Sequence, residues 1–142
     1  MPVKQISINM ENTPGKLSTV SELLGKEGVN ICAISIAESA DSSIVRIICS
    51  DPDRALGVLK SKGHAVQIRD VLAVRTPDHP GGLNAMLKPL AAAGVNVDYL
   101  YSCLRRIEDD AIIILSVSDM DRSLKVLAEN WIQTVNEEIY SI

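Results

Sequence analysis

The chain has 142 residues, enough for one average domain or two small ones, and its 46% hydrophobic and 23% charged residues are typical of a globular protein. Phe is absent, so Ile, Val, Leu and Ala must form the core. The net charge is −4, with eight basic and eight acidic residues in 1–70 and six and ten in 71–142, so neither half supplies the basic patch that nucleic-acid binding requires.

The first part of the chain predicts a strand and then a helix. Val3 to Met10 alternates apolar and polar residues, as in a strand. Residues 15–27 follow helical spacing, and Gly28 is a typical stop. The apolar face of this helix consists of Leu17, Val20, Leu23 and Leu24.

Two β-forming runs and a second helix come next. Asp51-Pro52 is a strong helix start, because the carboxylate caps free amides and Pro lacks an amide where none is needed. Gly63 ends that helix. The predicted strands lie at 29–37, 42–50 and 64–68.

The second half of the chain repeats the first. The segment PGKLSTVSELLGKEGVNI at 14–31 corresponds to PGGLNAMLKPLAAAGVNV at 80–97, an offset of 66 residues. DPDRALGVL at 51–59 corresponds to DMDRSLKVL at 119–127, an offset of 68. The two added residues fall between these segments, where the turn AESADSS of the first repeat gives way to the charged RRIEDDA. The second repeat is predicted to contain strand 70–76, helix 81–93, strands 95–104 and 111–118, helix 120–130 and strand 132–140.

This order predicts an α+β fold, the ferredoxin-like βαββαβ plait repeated twice, with domains at 1–69 and 70–142 and essentially no linker. The second strand of each plait is a long apolar edge, and pairing of the two edges within the chain predicts one eight-stranded antiparallel sheet. A helical or open face of that sheet is then expected to bury against a second chain in a homodimer, whereas capping of the edges by loops is the alternative. Pro89 predicts a kink or a poorly formed second half of its helix. Trp131 is expected to pack at the end of the last helix, and Tyr99 and Tyr101 at an interface or pocket wall.

Each Pro-Gly pair lies between a strand and a helix. Gly allows close approach of a ligand to the backbone, and the unpaired amides of the first helical turn favour an anion such as a carboxylate. Polar groups that suit an amine or amide accompany both loops: Asn12 and Asp78 before the Pro, and Asn30 and Asn96 at the start of the next strand. Together they suit an amino acid, whereas a simple tight turn remains the alternative.

The pattern N/D-x-P-G-x-L, an apolar helix and then G-V-N-I/V resembles the ACT domain, and the whole chain resembles two ACT domains in tandem. The resemblance implies a regulatory module that pairs side by side and binds an amino acid at an interface between ACT domains. It implies ligand contacts from the loop after the first strand and from the start of the second. These are Asn12, Pro14, Gly15, Lys16, Leu17, Asn30 and Ile31 in the first repeat, and Asp78, His79, Gly81, Gly82, Leu83, Asn96 and Val97 in the second.

The chain departs from the family pattern in two places. Some amino-acid-binding members carry His two residues before the Asn of the loop, where this chain has Met10 and Thr76. Lys16 of the first loop is replaced by Gly82 in the second, so one loop is expected to bind and the other to be structural. Because most ACT domains are attached to an enzyme and this chain has no room for one, it is expected to be a free-standing sensor or regulatory subunit.

The predicted function is therefore binding of a free amino acid or similar small carboxylate, without catalysis, with an enzyme of amino-acid metabolism as a further partner. No cofactor, nucleic acid or membrane partner is predicted. No apolar run approaches the ~18 residues of a membrane span and the N-terminus lacks the form of a secretory signal, so a cytoplasmic location is expected. The isolated Cys32, Cys49 and Cys103 predict buried thiols.

Three other functions are alternatives to amino-acid binding. One is a structural or protein-interaction subunit that regulates a separate enzyme without binding a ligand. Another is a small ferredoxin-like enzyme, but no Ser/His/Asp or Cys/His set is apparent, His64 suits a surface or cap role, and the acidic run 108–110 suits a hairpin tip better than a metal site. The third is an RNA-binding sheet, which would need exposed aromatic residues on its central strands. The sequence has no Phe, and Tyr99 and Tyr101 lie on the presumed edge strand instead.

Overall fold

Each half of the chain folds in the order strand, helix, strand, strand, helix, strand, so the predicted ferredoxin-like plait repeated twice is confirmed. The first six elements are β1 Val3–Glu11, α1 Lys16–Lys26, β2 Ile31–Glu38, β3 Ser42–Cys49, α2 Pro52–Ser61 and β4 Ala65–Thr76. The remaining elements are α3 Gly82–Ala92, β5 Val97–Ser102, β6 Ala111–Val117, α4 Met120–Glu129, β7 Thr134–Val135 and a 3-10 helix at Glu137–Ser141.

The computed structural model describes residues 2–38 and 41–141, so Ser39 and Ala40 of the predicted turn AESADSS lie outside it, as do both terminal residues. The chain divides into two compact units. One unit is Lys4–Arg69, and the other is Asp70–Ile142 together with the residues up to Val3.

The strands of each unit follow the plait order. In the first unit the order is β2-β3-β1-β4, and Ile47 of β3 is opposite both Ile6 of β1 and Ile34 of β2. In the second unit the order is β7-β4-β6-β5. Because no linker separates the repeats, the last strand of the first and the first strand of the second form the single strand β4. The described residues therefore contain seven strands rather than eight, and among them the edge strands β2 and β5 pair only with β3 and β6, so the predicted pairing of these edges is not found.

Each unit buries an aliphatic core between its helices and its sheet. Equivalent helical positions carry it, because leucines with no exposed surface occur in all four helices. Full burial of each such side chain stabilises the fold by about 1.5–3 kcal/mol. These residues are Leu24 in α1, Leu59 in α2, Leu90 in α3 and Leu127 in α4.

The helix starts agree with the sequence, but the expectation for Pro89 is partly wrong. Asp51 accepts a hydrogen bond from the Arg54 amide at 3.1 Å, which caps α2 as predicted. Helix α3 continues through Pro89 to Ala92, so its second half is well formed. The amide missing at Pro89 would pair with the carbonyl of Ala85, so the helix loses one hydrogen bond at this position.

The predicted last strand, 132–140, is also mostly wrong. Only Thr134–Val135 pairs, with Val135 opposite Ala73 of β4. The chain then turns, with the Ile139 amide donating to the Asn136 carbonyl at 3.1 Å. Ile139 becomes fully buried through this turn instead of through a strand. None of the helices in the described part of the chain is long and apolar enough to cross a membrane.

Candidate functional site

The first Pro-Gly loop joins β1 to α1. Gly15 has a φ of 86°, in the left-handed region, directly before the first helical residue. Its carbonyl accepts hydrogen bonds from the amide of Thr19 at 3.0 Å and from the Thr19 hydroxyl at 2.9 Å. Among the described residues no side chain caps this helix, so its first-turn amides face the loop without a side-chain acceptor.

The second loop has the same backbone conformation at its glycine, but it leaves less room for a side chain at the first helical residue. Gly81 has a φ of 85°, and its carbonyl accepts from the Ala85 amide at 3.0 Å. A Cβ atom on Gly82 would clash with the carbonyl oxygen of Pro77, whereas the equivalent residue of the first loop, Lys16, carries a long side chain. The two loops therefore differ in the space beside the helix start.

Each loop is hydrogen-bonded to a residue at or after the end of the second strand of its own unit, which is Glu38 in β2 and Arg106 in the hairpin after β5. In the first repeat Asn12 Nδ2 donates to Glu38 Oε2 at 3.2 Å. In the second repeat Arg106 Nη2 donates to Asp78 Oδ2 at 2.7 Å. The residues correspond by the offsets of 66 and 68, so the same tie is an amide–carboxylate bond in one unit and an ion pair in the other.

Each predicted site combines residues of the Pro-Gly loop with residues at the start of the second strand, and within a unit these two groups lie apart. The amide of Asn30 donates to Ser50 Oγ at 2.9 Å, and the amide of Asn96 donates to Ser118 Oγ at the same distance. Ile31 is opposite Cys49 at the other end of the sheet from the loop. The strand-start residues Asn30, Ile31, Asn96 and Val97 are thus not brought to the loop residues of their own unit.

A small cavity of about 140 Å³ lies beside the first loop. It brings together the predicted residues Asn12, Lys16 and Leu17. Sequence reasoning missed the lining residues from the neighbouring strands, which are Ile36, 52% exposed, with Ser43 and Val45. They lie on β2 and β3, distant in sequence from the loop, and the only available signal was an apolar residue near the end of an edge strand.

Sequence reasoning also missed a cleft that occurs at the same place in both repeats, between the loop after the first strand and the residues that follow the second helix. The first cleft, of about 230 Å³, is lined by Asn9, Met10, Glu11, Lys16, Gly63, His64 and Ala65. The second cleft, of about 440 Å³, is lined by Arg75, Pro77, Gly82, Ala85, Met86, Glu108, Asp110, Trp131, Ile132 and Gln133. Several residues correspond through the repeat offsets, among them Asn9 with Arg75, Lys16 with Gly82 and Gly63 with Trp131.

The acidic run holds an arginine in the second cleft. Arg75 Nε donates to Asp110 Oδ2 at 2.6 Å, and its Nη2 donates to Glu108 Oε2 at 3.0 Å. The hydrogen bond to Asp110, with that to Glu108, raises the pKa of Arg75. The described residues include no group of three or more His, Cys, Asp or Glu side chains placed to hold a metal ion.

The aromatic residues and cysteines only partly follow expectation. Trp131 is 76% exposed, so the prediction that it packs at the helix end is wrong. The rings of Tyr99 and Tyr101 stack with centroids 6.5 Å apart. Cys32 and Cys49 are buried free thiols as predicted, and Cys103 is half-buried.

The chain is similar to known proteins over its whole length. The family model of the ACT domain pair matches residues 1–141. The crystal structure of protein BT0572 from Bacteroides thetaiotaomicron has 39% sequence identity and a TM-score of 0.93, over 100% of this chain and 98% of that chain. No curated protein sequence matches significantly.

Aspartate kinase regulatory subunits have a similar fold. The subunit from Thermus thermophilus, in a ligand-free form, has 15% identity and a TM-score of 0.66. The subunit from Thermus flavus has 16% identity and a TM-score of 0.63. Each match covers 90% of this chain and 92% of that one. At these identities the likeness concerns the fold alone.

Proposed function

Because this chain belongs to the ACT-domain family, whose domains are regulatory and bind amino acids, we propose that it is a regulatory protein that binds a free amino acid or similar small carboxylate without chemical change. The observation that carries the proposal is the first loop. There Gly15, in a left-handed conformation, precedes a helix whose first turn has no side-chain cap, and Lys16 beside it lines a small cavity.

The carboxylate of the ligand would bind at this helix start. The first-turn amides of α1 carry partial positive charge and point towards the loop. Lys16 lines the cavity and adds a full positive charge. The apolar walls, Leu17 and Ile36, would contact the ligand side chain. The tie between Asn12 and Glu38 places a carboxylate at the loop that could accept a hydrogen bond from the ligand ammonium group.

The remaining predicted contacts would come from another ACT domain. Asn30 and Ile31, with Asn96 and Val97, begin strands at the far end of their own sheets. They can reach a loop-bound ligand only when a different domain, of this chain or of a second copy in a homodimer, presents them. A ligand shared in this way would favour one domain arrangement over another, because it binds the two arrangements with different affinity.

The second loop, with Asp78, His79, Gly81, Gly82 and Leu83, would bind more weakly or only support the fold. Asp78 already binds Arg106, and the Gly82 position has no space for a side chain. The protein would pass its signal to a separate enzyme of amino-acid metabolism. The fold likeness to aspartate kinase regulatory subunits is compatible with such a partner.

Thermal-shift measurements against the twenty amino acids, followed by calorimetry, would test the proposal. A ligand that binds only the native state must raise the melting temperature. We expect one or a few selective stabilisers, whose affinity falls at least tenfold in Lys16→Gly, the residue of the second loop, and is unchanged in Lys60→Ala on α2. If no amino acid stabilises the protein at millimolar concentration, a protein-interaction subunit without a ligand becomes the better account.

A further inference from the structure

Backbone strain is concentrated in the second cleft. Over residues 2–38 and 41–141, the non-glycine residues with positive φ are Glu108 at 52° and Trp131 at 58°. Both line the second cleft. Left-handed conformations are unfavourable for residues with a Cβ atom, and residues that adopt them are often found at binding and active sites. Glu108 adopts its φ in the two-residue turn between Ile107 and Asp110, where a positive φ is common, so Trp131 is the residue that requires another reason.

The repeat shows what an unstrained version of this position looks like. Trp131 corresponds to Gly63 by the offset of 68, and Gly63 has a φ of 80° after α2. Glycine adopts this conformation without a steric cost. The second repeat instead places a large indole there and leaves it 76% exposed. Neither the backbone conformation nor packing accounts for a Trp at this position.

The charges of the second cleft favour a cation. Its charged side chains are Arg75, Glu108 and Asp110, which together carry a charge of −1. Arg75 is only 21% exposed, and both carboxylates already bind its guanidinium group. An anionic ligand would have to compete with these two carboxylates. An indole face and a net negative charge both attract a positive group.

The size and walls of the second cleft suit an organic molecule. Its volume of about 440 Å³ is within the usual range for small-molecule sites. Apolar contact is available from Pro77, Ala85, Met86 and Ile132. The first cleft is about half as large, and it has Asn9 and Gly63 where the second has Arg75 and Trp131.

From these observations we propose that the second cleft binds a small organic cation with an apolar or aromatic body. The indole of Trp131 would lie against the body or the cationic group, and Glu108 and Asp110 would accept hydrogen bonds from that group. The site is separate from the amino-acid site on the first loop. Its ligand class differs as well, because no carboxylate is needed.

Three probes with the same aromatic body test the charge requirement. We would titrate the protein with 2-phenylethylamine, which is cationic at pH 7, and with phenylacetate and 2-phenylethanol. The chain has a single Trp, so its fluorescence reports on the second cleft, and calorimetry gives affinity and stoichiometry. The amine should bind with one site per chain, at least fivefold tighter than the other two. Equal binding of all three, or no saturable binding of the amine, would overturn the proposal.

Matched variants locate the site. Trp131→Gly copies the first repeat and should fold, and it should weaken amine binding at least fivefold by calorimetry. Glu108→Gln should do the same, whereas His64→Ala in the first cleft should have no effect. Unchanged binding in both second-cleft variants would contradict the assignment. Lys16→Gly separates this proposal from the amino-acid site, because it should leave amine binding intact whether or not amino acids bind.

Discussion

Arg106 donates a hydrogen bond to Asp78 at 2.7 Å, and these two residues occupy the positions that Glu38 and Asn12 occupy in the first repeat. Both repeats thus bond the loop before the first helix to a residue of the connection between the second and third strands, Glu38 at its start or Arg106 within it. The contact occurs at the same position in both repeats, but it is an amide–carboxylate hydrogen bond in the first and an ion pair in the second. A repeat that keeps such a contact while changing both residues indicates that the position of the loop matters in each unit.

Removing the ion pair in Asp78→Asn should change loop mobility more than stability. The two side chains are 60% and 50% exposed, so the pair contributes at most about 1 kcal/mol. We expect a fall in unfolding free energy within that limit but faster hydrogen exchange of the amides between α3 and β4. Arg54→Gln, which breaks an exposed pair with Glu27 in the first unit, is the control. Unchanged exchange in the second loop would show that the tie does not hold it.

Gly82→Ala should destabilise the second unit. The new Cβ atom would clash with the carbonyl oxygen of Pro77, and backbone atoms cannot move aside as a flexible side chain can. Overpacking of this kind costs about 1–3 kcal/mol. The control is Gly25→Ala in α1, where a Cβ atom meets nothing within 4 Å, and which should gain about 0.5–1 kcal/mol of helix stability. Urea unfolding of both variants measures the contrast, and a neutral Gly82→Ala would mean that the loop adjusts.

The sequence predicted those features that depend on local patterns and on the repeat. Each of these features depends on residues that are close together in the sequence. Examples are the helix cap at Asp51, the helix end at Gly28 and the apolar faces of the helices. Because the sequence repeats, each of these patterns occurs twice. The loop conformation at Gly15 and Gly81 could be predicted for the same reason, because Pro-Gly between a strand and a helix restricts the backbone strongly.

The features that were missed depend on contacts between distant segments. The second cleft combines a strand end, a loop, a hairpin and the residues after α4, and no sequence pattern links Arg75 to Asp110. The position of Trp131 after the last helix predicts packing at the helix end, but no distant segment among the described residues covers the side chain, which is 76% exposed. Pro89 removes one hydrogen bond and predicts a kink or a poorly formed second half of its helix, yet α3 continues to Ala92 with Leu90 fully buried in the core.

Cys49 should be the least reactive thiol. Burial, with a smaller effect from Cys32, raises the pKa of the Cys49 thiol to about 12 from 9.0. The folded state therefore holds this proton more tightly than the unfolded state does, and its stabilising effect is lost as the pH rises from about 9 to 12. With a thiol reagent at pH 8, half-buried Cys103 should react first and Cys49 only after unfolding. Cys103→Ser identifies the fast phase, and rapid labelling of Cys49 in that variant would contradict the expectation.

Replacing Trp131 with glycine should stabilise the second unit. The left-handed conformation of Trp131 costs about 1–2 kcal/mol, and the greater freedom of glycine in the unfolded chain offsets about 0.5–1 kcal/mol of the gain. A net increase of about 0.5–1 kcal/mol in unfolding free energy is therefore expected for Trp131→Gly. Trp131→Ala is the matched control, because it removes the indole and keeps the strain.

The two variants distinguish strain from packing. If the indole makes no stabilising contact, as its exposure indicates, the alanine variant should match the parent protein in urea unfolding while the glycine variant exceeds it. A loss of stability in both would mean that the indole packs against the protein, and the reason for its left-handed backbone would then be structural. A gain with glycine alone would mean that the second repeat retains a Trp at the expense of stability, which is expected of a residue kept for binding.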